Sequence, residues 1–139
     1  MDLAGGFMPA IVQSAVSSAS TVTPTKTTNT YATIPEMDLT LNNLTIGNLL
    51  VAFFDGNFYH DSAGAQLGFG LSLDSAAEVD EYLPNAPGSN YIFLAHLMGM
   101  WTITTTSHNV KGRWKNNTGA GTLSGFNVAR KLRLFELRT

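Results

Sequence analysis

Residues 107–137 read SHNVKGRWKNNTGAGTLSGFNVARKLRLFEL, two alternating runs joined by a connection rich in Asn, Thr and Gly. In the first run Val110, Gly112 and Trp114 fall on one side of an extended chain. Asn109, Lys111, Arg113 and Lys115 fall on the other, the period of two that marks a half-buried strand. The second run repeats the pattern, with Leu132 and Leu134 opposed to Lys131 and Arg133. Together the runs predict the closing strands of an antiparallel β-sandwich.

Upstream segments carry the same signal. In 65–74, AQLGFGLSLD, Leu67, Phe69, Leu71 and Leu73 alternate with Gln66, Gly68, Gly70 and Ser72, and in 37–41 Met37, Leu39 and Leu41 alternate with Asp38 and Thr40. The segment 44–56, LTIGNLLVAFFDG, is apolar on both faces, Leu49, Val51 and Phe53 on one and Leu50, Ala52 and Phe54 on the other. A strand of that kind needs cover on both sides, so its second face, Leu49, Val51 and Phe53, is a candidate subunit interface; Asp55 and Gly56 read as the turn that ends it. Residues 75–90, with Pro84, Pro87 and Gly88, read as an exposed loop, and 91–106 as one or two strands broken near Gly99. Short strands at regular spacing, with no long helical pattern between them, make the chain all-β, a sandwich or barrel.

Residues 1–30 differ in composition from the rest and end in the Ser/Thr run SSASTVTPTKTTNT. They are expected to form an extended N-terminal arm ahead of a β-sandwich domain over 31–139, with room for a short helix over 9–16, where Pro9 suits a first helical turn. An arm with so little to pack against itself is expected to lie along a neighbouring subunit.

The chain has 139 residues, of which 44% are hydrophobic, enough for one domain with its own core. Charged residues make up 13%, about half the usual share. A net charge of −2 argues against a nucleic-acid binder, which needs a basic surface to displace counterions. No apolar run is long enough for a membrane-spanning helix, and the N-terminus, which carries Asp2 where a secretory signal has positive charge, is expected not to direct export. The absence of Cys excludes thiolate nucleophiles and thiolate metal sites. His60, His96 and His108 are scattered, with no His-x-His spacing, and predict no metal centre. The acidic residues Asp74, Glu78, Asp80 and Glu81 do not follow the spacing of a calcium-binding loop of the EF-hand type. The sequons at Asn43 and Asn116 read as accidental without an export signal. No catalytic set and no cofactor is therefore expected.

The basic residues Lys111, Arg113, Lys131 and Arg133 concentrate positive charge in the last quarter of the chain. They read either as edge protection or as a cationic patch that meets an acidic face on another chain. Tyr59 and Tyr82, assigned to the loops 55–64 and 75–90, offer a stacking pair for a sugar if exposed.

The pattern His108-x-Val110 leading to Arg113-Trp114, then a Gly-rich connection and Arg130-x-Leu132-x-Leu134, resembles the end of small jelly-roll domains in tailed-bacteriophage virion proteins. The resemblance spans about residues 34–137 in layout. It implies a jelly-roll-like sandwich used as an assembly module and a non-enzymatic virion structural protein, most simply a capsid decoration or cement protein. Its partners would be the major capsid protein or other virion subunits, in a homo-oligomer with a trimer favoured, and it would sit in the virion after assembly in the host cytoplasm. The alternative is a carbohydrate- or host-receptor-binding domain of a phage tail, built on Tyr59 and Tyr82; a metal-dependent jelly-roll enzyme is the third reading.

Overall fold

The computed structural model describes residues 10–18, 24–117, 121–125 and 130–139, with the backbone alone for 79–81. Its strands are β1 (Ile11–Ser18), β2 (Thr25–Lys26), β3 (Ala32–Asn42), β4 (Leu49–His60), β5 (Leu67–Leu73), β6 (Val79–Tyr82), β7 (Phe93–Thr102), β8 (Ser107–Asn116), β9 (Leu123–Gly125) and β10 (Lys131–Leu137). They form two antiparallel sheets. One runs β1-β10-β4-β7, with the short β9 pairing the last residues of β4, Phe58 to His60, past the end of β10, and β2 pairing β9; the other runs β3-β8-β5-β6. Along the chain the long strands alternate between sheets except at the β5–β6 hairpin, which is the connectivity of a jelly roll.

The core between the sheets follows from the alternation. Trp114, Val110 and Gly112 of β8 and Leu132 and Leu134 of β10 point inward and are buried, as their period predicts. Phe58 sits at the centre, its ring 4.6 Å from that of Phe69 and 5.9 Å from Trp114, so strands from both sheets meet on one aromatic cluster. Truncating Trp114 to Ala would cost about 3–5 kcal/mol by the usual penalty for emptying such a site.

Several local expectations are corrected. Residues 11–18 form no helix; the run of Val, Ser and Ala takes up extended backbone because β10 supplies a full antiparallel partner from Ile11↔Leu137 to Ser18↔Lys131. Residues 11–18 are thus the outer strand of this chain's own sandwich, held by ladder bonds to β10, and Thr25 and Lys26 pair with β9, while the rest of the expected arm over 1–9 and 19–23 lies outside the described residues. β4 does not end at Asp55 and Gly56 but continues to His60. Gly56 is an inward position: a Cβ there would stand 2.8 Å from Phe58 Cε2 and 3.1 Å from Arg130 Cγ, so the glycine makes room for core side chains. β7 is unbroken at Gly99, which lies under the indole of Trp101. The segment 75–90 contains β6, and Asn85 bridges Gln66 beyond it.

Candidate functional site

The register of the β1-β10-β4-β7 sheet sets its outward side chains in rows. The first row is Ile11, Leu137, Leu49 and Thr102; the second Ser14, Phe135, Val51 and Met100; the third Val16, Arg133, Phe53 and Met98; the fourth Ser18, Lys131, Asp55 and His96. A bulge between Ile11 and Gln13 shifts the ladder by one residue and turns Ile11 to the side of Leu137. Leu94, opposite Asn57, extends the face at its other end. Ile11, Val16, Phe53, Leu94, Met98 and Met100 are each at least 40% exposed. They stand in adjacent rows of one sheet and form a contiguous apolar surface, not scattered single residues.

The rings of Phe53 and Phe135 meet edge to face with centroids 6.0 Å apart and form a ridge. On one side lies a groove of about 450 Å³ lined by Phe53, Asp55, His96, Leu97, Met98 and Arg133, and on the other a groove of about 220 Å³ lined by Ile11, Val51, Phe135 and Leu137. The charge at the border is locally paired, Arg133 donating to the Asp55 carboxylate.

Directly behind this face is a buried carboxylate that sequence reasoning did not single out. Glu136 points into the sandwich between Phe135 and Leu137 and is fully buried. It accepts hydrogen bonds from Gln13 Nε2 (2.7 Å), Asn48 Nδ2 (2.7 Å) and the Thr45 backbone N–H (3.0 Å). Burial disfavours its charge, but the three donors outweigh that and hold the carboxyl below the usual carboxylate range. The only signal in the sequence is an acid where the β10 alternation calls for a leucine. Because Gln13 belongs to β1, the same carboxylate ties down the edge strand from which Ile11 and Val16 project.

The predicted interface residues divide between the two faces of the molecule. Leu49, Val51 and Phe53 lie in the apolar rows with Lys131 and Arg133 at their border, whereas Lys111 and Arg113 project from β8 on the outside of the opposite sheet. The four basic residues do not form one patch, because β8 and β10, though similar in sequence, belong to opposite sheets. Arg113 Nε lies 3.4 Å from Glu78, and Lys111 donates to Ser75 Oγ. Tyr59 is not in a loop but near the end of β4, and Tyr82 lies in β6 of the other sheet, 43% exposed. The two-loop stacking pair is thus divided between sheets.

The histidines hold structural positions or lie at the border of the face. His60 and His108 are buried, and His96 is outward in the fourth row. His108 Nε2 accepts the Thr104 N–H, which leaves Nδ1 to donate to Asp74. Burial opposes the Asp74 charge, but hydrogen bonds from the Asn109 N–H and His108 outweigh it, holding the carboxyl low. Among the described residues no three His, Cys, Asp or Glu side chains group as a metal site. The side chain of Asn116, in one of the two sequons, is fully buried.

No protein-family model and no curated protein matches the chain. Among solved structures it is similar to dimeric latent PorU from Porphyromonas gingivalis, with a TM-score of 0.59 and 7% identity over 94% of this chain and 13% of that one. It is also similar to the EclA C-terminal domain, a sugar-binding protein, at a TM-score of 0.39 and 17% identity over 99% of this chain and 86% of that one. A further similarity is to infectious bursal disease virus, Gx strain, at 0.42 and 14% identity over 92% and 37%. The chain thus spans about an eighth of the PorU chain, and what it shares with it is the all-β sandwich fold.

Proposed function

We propose that this chain is a non-enzymatic virion structural protein, a capsid decoration or cement subunit that binds the major capsid protein or another virion component by its surface. The observation that carries the reading is the apolar outer face of the β1-β10-β4-β7 sheet, with Phe53, Met98 and Met100 at least 40% exposed. A face of that kind is costly to leave in water and is stabilised by docking on protein. The C-terminal resemblance to phage jelly-roll modules supplies the virion setting. A subunit of this kind stabilises a shell by mass action, since it binds the assembled state and not the free components. The tail-type sugar reading draws less support, because Tyr59 and Tyr82 lie in opposite sheets.

The test is mass spectrometry of purified particles of the encoding phage, followed by rebinding of the purified chain to particles stripped of it. The chain should copurify in stoichiometric amount and rebind saturably. Its absence from particles, with folded chain abundant in the lysate, would refute the virion assignment.

A further inference from the structure

We propose that the occupant of the apolar face is a second copy of this chain, packed with the same face inward. The proposal rests on the assembly reading above in taking the cover to be protein, and it names which protein. Three observations carry it. The first is area. Ile11 is 61% exposed, Met100 58%, Met98 50% and Phe53 40%. With Val16 and Leu94 these residues present on the order of 550–600 Å², about two-thirds to three-quarters of the roughly 800 Å² that each partner contributes to a standard stable interface.

The second observation is shape. The Phe53 and Phe135 ridge stands between two grooves of about 450 and 220 Å³. A ridge beside a groove is self-complementary under a two-fold axis, because each copy offers the other both the knob and the slot. A flat or purely concave face lacks this property.

The third observation is charge. The first two rows hold no charged side chain, and Arg133 at the border is already paired with Asp55. Two copies therefore meet without setting like charges together over the apolar half, with Lys131 one row beyond it. A strongly acidic or basic partner would find nothing on that half to pair with.

The experiment uses the purified full chain with no shell present, so that its result is independent of the virion assignment. Sedimentation equilibrium from low to high micromolar concentration should show a two-protomer species. Phe53→Asp and Met100→Lys should each weaken self-association at least tenfold, with circular dichroism and melting temperature showing that both remain folded. Lys111→Glu, on the opposite sheet, should leave it unchanged. A monomer at every concentration, an odd-numbered assembly, or a dimer indifferent to both apolar-face variants would overturn the proposal. If the chain is a monomer yet rebinds to stripped particles, the self-pairing fails and the virion assignment stands.

Discussion

The two outer faces of the sandwich are built on the same rows of alternating side chains and finished in opposite ways. On the β3-β8-β5-β6 sheet, Lys115 lies across from Gly68, Arg113 from Gly70 and Lys111 from Ser72. The small residues leave space for long side chains to lie along the sheet: a Cβ on Gly68 would stand 2.6 Å from Lys115 Cε. Lys115 ends 4.4 Å from the centroid of the Tyr31 ring, and Arg113 donates to the Tyr31 carbonyl. Apolar stems cover the sheet while the charged ends reach water or a partner, so this face is complete in a single copy. On the β1-β10-β4-β7 sheet the corresponding positions hold Val, Phe and Met, which have no charged end. The first face is covered within a single copy, whereas the second leaves Val16, Phe53, Met98 and Met100 exposed.

Among the changes that separate the two faces, the largest effect is expected at Glu136, where the polarity of β10 inverts and sends Phe135 and Leu137 outward. Glu136→Ala leaves the buried Asn48 amide and the Thr45 N–H without their acceptor, and should cost about 3 kcal/mol in chemical denaturation. Hydrogen exchange should then rise first in β1, which loses the Gln13 tie. The lowered pKa of Glu136 also fixes a pH dependence. Its contribution is fully present above the ordinary carboxylate range and is lost as pH falls through the lowered value. Acid should therefore destabilise the wild type more steeply than Glu136→Gln, measured by melting temperature across the acid range. Equal slopes would mean that the buried carboxylate does not anchor the face.

A middle-sized effect separates the faces directly. Gly68→Val on the solvent-adapted face displaces the Lys115 stem and approaches the Tyr31 hydroxyl, a Cβ there being 2.9 Å from it, and should cost about 1–2 kcal/mol. Met98→Val on the apolar face removes little from a side chain that is 50% exposed, and should stay within about 0.5 kcal/mol in the isolated chain. Comparable losses at the two sites would show that both faces are equally finished, and the contrast between them would fail.

Much of the architecture was legible because alternation is a local property. The β8 alternation separated inner from outer residues correctly, its positions from Ser107 to Asn116 being buried at every second residue, whereas β5 is buried on both sides from Leu67 to Ser72. The partition of β8 and β10 between opposite sheets was not legible, because nothing in a strand's own sequence names its neighbours. Gly56 looked like a turn because glycine after aspartate is the local signature of one; its role is set by Phe58, in its own strand, and by Arg130, more than 70 positions away. The same holds for Glu136, whose donors come from Gln13, Thr45 and Asn48 near the other end of the chain. Leu49, Val51 and Phe53 were identifiable as the second apolar side of a strand apolar on both faces, whereas Met98, Met100 and Ile11 join them only through the register of β7 and β1.

The smallest effect is expected where the concentration of basic residues first draws the eye. Lys111 is half-buried on the outside of β8, across from Asp38 in β3 and Ser72 in β5, and its ammonium reaches Ser75. Interactions of this exposed type contribute about 0–1 kcal/mol and weaken with salt. Lys111→Glu should therefore change unfolding stability by about 0.5 kcal/mol or less, and what change there is should shrink as salt is raised, because it comes from the new carboxylate beside Asp38. A loss several times larger, or one that persists in high salt, would mean that the β8 lysines hold the second sheet together through buried contacts. The polar face would then be a structural layer in its own right, and the division between a solvent face and a docking face would have to be redrawn around the charges of β8.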